Sequence, residues 1–196
     1  MSVSECLSFE KKLAFHSAPA LLGMKCANLI SLKNSEFNID AHAMNFNKKA
    51  VSQGLKIRIL CSCKSNVLIL LYSEKRLSER LHSSIIQNFL LSCGYEKDRE
   101  TEYYLCRLSE RILCEAGFPH EIGVFLDYPY EDIVGFIRHR GKNFKMCGYW
   151  KVYGDTEYAE RTFRNYDRCR EFLCYKLENG FDFYKAIENP QEVLIS

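Results

Sequence analysis

From Leu55 the chain alternates apolar and basic side chains, Leu55-Lys56-Ile57-Arg58-Ile59, the two-residue period of a strand with one face buried. A polar break at Lys64-Ser65-Asn66 precedes Val67-Leu68-Ile69-Leu70-Leu71-Tyr72, a continuous apolar run that suits a strand covered on both faces. Together they predict a hairpin at the centre of a sheet. Leu77, Leu81, Ile85 and Phe89 then recur every four residues, with Ser73 placed to cap and Gly94 to stop, which predicts one helix. Leu105, Leu108 and Ile112 mark another between about Asp98 and Ala116.

A short helix is predicted after Pro129, which suits the first helical position. Glu131 and Asp132 complement the positive end of its dipole, Arg138, His139 and Arg140 the negative end, and Gly141 follows. From Asn143 to Tyr153 the alternation returns and predicts a strand with Phe144, Met146, Trp150 and Val152 towards the core. Lys145, Cys147, Tyr149, Lys151 and Tyr153 take the other face, towards surface or pocket. Asp155 caps a long helix whose stripe is Phe163, Tyr166, Cys169, Leu173 and Leu177, ended by Asn179-Gly180. This mixture predicts an α+β fold, a small mixed or antiparallel sheet with helices packed on it.

At 196 residues, with 47% hydrophobic and 27% charged side chains, the chain suits one folded domain over 1–196 and excludes disorder. Twenty-seven Lys and Arg against 25 Asp and Glu leave a net charge of +2, too small for a global pull towards nucleic acid or an anionic membrane. Ten cysteines fall short of a disulfide scaffold. The apolar stretch Leu13 to Met24 contains His16 and Pro19 and is a poor export signal. The longest apolar run, Val67 to Tyr72, is far too short to span a bilayer. The expectation is a reduced, soluble, cytoplasmic protein without membrane association.

Candidate chemistry is sparse. Cys61-x-Cys63 places two sulfurs on one side of a strand, where they either pack or hold a soft metal, but no second pair completes a site. Cys169 and Cys174, five apart, point about 140° from each other on a helix. His120-Glu121 resembles half of a zinc-protease motif, yet Val124 stands where the second histidine belongs. His120 therefore reads either as a general base or as part of a capped turn. Basic and aromatic residues interleave from Arg138 to Tyr153, and Arg161, Arg164 and Arg168 share a helical stripe. Helix-end charges and ion pairs to Glu157 and Glu160 account for most of both. No phosphate loop, dinucleotide fingerprint or nucleophile elbow occurs.

Phe118-Pro119-His120-Glu121-Ile122-Gly123-Val124-Phe125-Leu126, followed by Tyr128-Pro129 and Gly135-Phe136-Ile137, resembles a bacterial family whose domain has no established activity. His16-Ser17-Ala18-Pro19, Gly23-Met24-Lys25 and Asn28-Leu29 are similar to its opening motif, and Gly148-Tyr149-Trp150-Lys151-Val152-Tyr153 to a later one. The likeness runs from about Phe9 to Phe181. It implies a single-domain cytosolic protein of mainly anaerobic bacteria, sometimes encoded near flavodoxin-type or iron-handling genes, and so redox or metal physiology. Two residues depart from the pattern: Ser17 replaces an expected cysteine and Asp127 an expected glycine. A thiolate chemistry at the first position would be lost, since a hydroxyl is a poorer nucleophile and soft-metal ligand.

The motif residues comprise a packing set, Phe118, Phe125, Phe136 and Trp150, and a polar set, His16, Lys25, His120, Glu121 and Lys151. Lys and Glu are rarely buried unless paired. One expectation is a single pocket where Lys25 and Lys151, with His16 and Tyr153, bind an anionic group while His120 and Glu121 handle a proton or metal. The alternative is a buried ion-pair network that fixes the fold. The leading functional expectation is binding or processing of a small anionic ligand in redox or metal metabolism. A module docking a flavodoxin-like redox partner is the second, and an RNA-binding domain the third, against which the balanced charge speaks. Cofactor and metal are not identified by the sequence.

Overall fold

A computed structural model describes residues 2–63, 65–114 and 118–188; Lys64 of the predicted turn and Glu115 and Ala116 of the predicted helix lie outside the described residues. The chain runs α1 (Val3–Leu21), β1 (Ala27–Lys33), α2 (Ile39–Lys49), β2 (Leu55–Ser62), β3 (Asn66–Ser73), α3 (Glu74–Leu81) and α4 (Ser84–Ser92). It continues through α5 (Thr101–Cys114), α6 (Ile122–Phe125), α7 (Tyr130–His139), β4 (Met146–Cys147), β5 (Lys151–Val152), α8 (Thr156–Glu178) and α9 (Phe183–Glu188).

The unbroken apolar run of β3 is explained by burial on both faces. Val67, Ile69 and Leu71 pack with α1, α2, α8 and α9 in one core, whereas Leu70 and Tyr72 pack with the α3 to α7 layer in another. β1 and β2 flank β3, both antiparallel to it. The architecture is α+β with a small antiparallel sheet and a separate two-stranded ribbon.

Three details depart from the periodicity. The β2–β3 hairpin is not central as a unit: β3 is, and β2 is an edge, because β1 occupies the other side. The single helix expected from Leu77 to Phe89 is two, broken at His82-Ser83. The break shifts the phase by one residue, so Ile86 and Leu90 are buried while Ile85 is exposed. The strand expected from Asn143 to Tyr153 is a hairpin that reverses through Gly148-Tyr149-Trp150. A Cβ on Gly148 would lie 2.3 Å from the Phe163 ring, so glycine is what lets the hairpin rest on α8. Trp150 and Val152 do face the core, joining Ala159 and Tyr166 in a third cluster, while Phe144 is exposed.

Ser17 is fully buried on α1, and its hydroxyl has no hydrogen-bond partner among the described residues. A buried, unpaired hydroxyl costs about 1–3 kcal/mol, and alanine is the better helix former. Ser17→Ala is therefore expected to leave stability to urea unchanged or to raise it by about 1 kcal/mol. A loss above about 2 kcal/mol would mean that the hydroxyl is paired in solution.

Candidate functional site

The first turn of α7 carries Asp132, which is 3% exposed. Its carboxylate turns to the β4–β5 hairpin and accepts three hydrogen bonds: from the Trp150 indole N–H at 2.7 Å, the Tyr153 N–H at 2.6 Å and the Gly154 N–H at 2.8 Å. Bonds to an ionised acceptor are worth about 1.5–3 kcal/mol each, so this clamp fixes the hairpin on the helix. One turn along, Gly135 lets the helix meet the Tyr153 ring, from which a Cβ would stand 2.5 Å away. Tyr153 in turn stacks on His139 with ring centres 5.6 Å apart.

The two clamped elements leave a cleft of about 440 Å³ between them. Tyr128, Ile133 and Phe136 line it from one segment and Tyr149 and Trp150 from the hairpin, with Asp132 also in the lining. Tyr128 stacks on Trp150 with centres 5.2 Å apart, and its hydroxyl donates to the Tyr149 carbonyl. Into this largely aromatic lining come His120 and Lys151. The exposed His120 ring meets Phe136 edge-on at 5.2 Å. The Lys151 amine lies 5.8 Å from the same ring and donates to the Gly141 carbonyl at 2.8 Å. Phe118, expected in the core, is instead half-exposed and lines the cleft.

The rest of the expected polar set goes elsewhere. Glu121 is buried, but its carboxylate is taken by Arg111 and by the Tyr95 hydroxyl, and it does not line the cleft. That pair is the ion-pair alternative realised locally; burial first and the Glu121 carboxylate second push the Tyr95 phenol upward, with Arg111 opposing. His16 lies exposed on α1, where desolvation first and Lys12 and Arg170 second push its imidazole down. Tyr153 packs between Gly135 and His139, outside the cleft lining. Lys25 is 3% exposed, and its amine stands 5.4 Å from the ring centres of both Tyr128 and Tyr166. Among the described residues it makes no hydrogen bond or ion pair; Cys26 and Asp127 act on it through space.

A family described as protein of unknown function (DUF3793) matches residues 13–187, which include every residue named above around the cleft. The chain belongs to the DUF3793 family. No curated protein and no solved structure matches it. Within this DUF3793 chain, Asp127 adopts φ 61°, the left-handed conformation that favours glycine, which explains the glycine expected there. Aspartate tolerates that conformation and uses it: its carboxylate accepts from the Cys26 N–H at 3.1 Å and faces Arg80.

No group of three or more His, Cys, Asp or Glu side chains able to hold a metal occurs among the described residues. Cys61 is half-buried and Cys63 exposed, so neither is the buried packing residue the sequence suggested. The basic residues of the interleaved stretch are partly used internally, Lys145 donating to the Gly154 carbonyl and Lys151 to Gly141. Asp132 was readable only as a dipole-complementing acid; its partners lie 18 to 22 residues away.

Burial pushes the Lys25 amine down from 10.5 to about 8, with Cys26 and Asp127 opposing. Between those values the unfolded chain holds the extra proton, so the Lys25 contribution makes stability rise with pH from about 8 to about 9, above which Cys26 and Cys169, whose thiols burial pushes up from 9.0, oppose it. Urea-unfolding midpoints of the wild type are expected to rise over this window, while those of Lys25→Met lack that rise. Parallel profiles for the two proteins would show that Lys25 is not desolvated.

Proposed function

We propose that this DUF3793 protein binds a small, flat, largely apolar anion in the cleft between α7 and the β4–β5 hairpin. The observation that carries the reading is the entry of His120 and Lys151 into one otherwise aromatic cavity. Ligand sites are commonly apolar hollows with a few convergent polar groups that fix orientation. Phe118, Phe136 and the stacked Tyr128–Trp150 pair offer apolar surface to a ring. Lys151 spends one of its three N–H donors on Gly141 and has two for a carboxylate or phosphate. His120, beside Phe136, is placed to donate to the ligand or to carry a proton.

This reading narrows the small-anion expectation and names no metal or redox step. It is preferred to docking of a flavodoxin-like partner and to RNA binding. Docking would use the basic, aromatic strand face, where Lys145 and Lys151 bond to neighbouring carbonyls, and the balanced charge speaks against RNA.

Trp150 is the chain's single tryptophan and lines the cleft, so its emission reports on occupancy. Naphthalene-2-carboxylate is expected to change that emission saturably and to bind about tenfold more tightly than uncharged naphthalene-2-carboxamide, a difference of about 1.4 kcal/mol. Lys151→Gln should remove the preference without weakening the amide. Equal binding of the two compounds, or no saturable change, would contradict the proposal.

A further inference from the structure

We propose that a second cleft, between the start of α7 and the first half of α8, binds a hydroxylated primary ammonium ion of the size of an amino sugar. This cleft, of about 550 Å³, shares no lining residue with the aromatic one. Asp127, Glu131 and Asp155 bring three carboxylates to its lining against one cation, Arg80. Asp127 faces Arg80, whose guanidinium also donates to the Tyr128 carbonyl. Glu131 and Asp155 have no ion pair among the described residues. Each sits at a helix start, where the dipole favours an acid. Capping, however, uses a single oxygen of the two carboxylates, the Asp155 oxygen that accepts from the Tyr158 N–H. The Glu131 side chain lies against Gly154, where a Cβ would stand 2.5 Å from it, and so beside Asp155. Two adjoining carboxylates without a counter-ion repel each other, and a bound cation relieves that repulsion.

Tyr166 supplies an independent observation. It is 4% exposed and lines the cleft, yet its hydroxyl makes no hydrogen bond among the described residues. Buried tyrosines usually find a partner for that group. The oxygen is not sealed in the interior, as those of Ser17 and Tyr153 are, so the cleft is where it opens. Burial first and Asp127 second push the phenol up, so it meets a ligand as a neutral hydroxyl that both donates and accepts.

The rest of the lining selects the ligand class. The Asn165 amide also has no partner among the described residues, and Thr162, whose hydroxyl donates to the Tyr158 carbonyl, keeps its lone pairs for accepting. These groups suit hydroxyls. The Lys25 amine, 5.4 Å from the Tyr166 ring centre, and Arg80 leave that end without surplus negative charge, so hydroxyls belong there and the single ammonium beside Glu131 and Asp155. The Tyr158 ring, 49% exposed, offers a face to the carbon skeleton. The carboxylates belong to no group able to hold a metal among the described residues, which points to an organic cation. A net charge of +2 gives cations no general attraction, so saturable binding of one reports a local site.

Glucosamine is titrated calorimetrically into the wild-type protein at slightly acidic pH and low salt, beside glucose, which has a hydroxyl in place of the ammonium, and cyclohexylammonium, which has the charge without hydroxyls. Glucosamine is expected to saturate one site and to bind about tenfold more tightly than either. Glu131→Gln should weaken it about fivefold, the loss of one partly solvated ion pair. Tyr166→Phe keeps the ring and, since the hydroxyl has no internal partner, the fold; it should cost about fivefold as well. Glu157→Gln, at an exposed acid outside the cleft, should change nothing. No saturable heat, equal binding of glucose or cyclohexylammonium, undiminished affinity in Glu131→Gln or Tyr166→Phe, or an equal loss in Glu157→Gln would overturn the proposal. Since the aromatic cleft is not involved, failure here leaves the binding of aromatic anions untouched, and the converse also holds.

Discussion

One buried carboxylate organises the region around the cleft. Asp132 satisfies an indole N–H and two consecutive backbone N–H groups of the hairpin segment, groups that would otherwise be buried without acceptors. Leaving such donors unpaired is more costly than the bonds are individually worth, so the hairpin has one stable seat on α7. That seat places Trp150 against Tyr128 and brings Lys151 to Phe136, where His120 already lies. The cleft is thus a consequence of the clamp, and its lining comes from one stretch of the chain, 118–151.

The buried charges divide by whether the fold provides them with partners. Asp132 has three donors and Glu121 has Arg111 and Tyr95. Both are explained by holding structure together. Lys25 has tyrosine faces and through-space neighbours only, which is why its protonation couples to stability. Tyr128 connects the two regions, with Trp150 stacked on its ring and the Lys25 amine near it.

Elements with a strong local period were legible in the sequence. β3 shows its two-sided burial as an unbroken apolar run, and α8 shows its cap at Asp155 and its stop at Gly180. α1 and β1 were not, because Pro19 and mixed charges obscure the helix and β1 has only seven residues. The break at His82-Ser83 was hidden because Leu77, Leu81, Ile85 and Phe89 fit a straight helix as well as a bent pair. Around the cleft, His120 and Lys151 stood out because polar side chains inside aromatic motifs are conspicuous. Their separation from Glu121 and Lys25 was not, since it depends on Arg111 capturing the carboxylate and on Tyr166 reaching the amine across the fold. Asp127 shows the same limit: its left-handed φ is a property of the folded turn, visible beforehand only as a departure from an expected glycine.

The clamp is tested most directly by the single indole N–H resonance of Trp150 in a nitrogen-15 correlation spectrum. If the Asp132 carboxylate accepts that proton in solution, the signal exchanges with deuterium much more slowly than a solvated indole. It should then lose its protection in Asp132→Ala while the amides of β3 keep theirs. Exchange of the wild-type indole at the rate of a free one would contradict the account, because the hairpin would then not be seated where the cleft requires it.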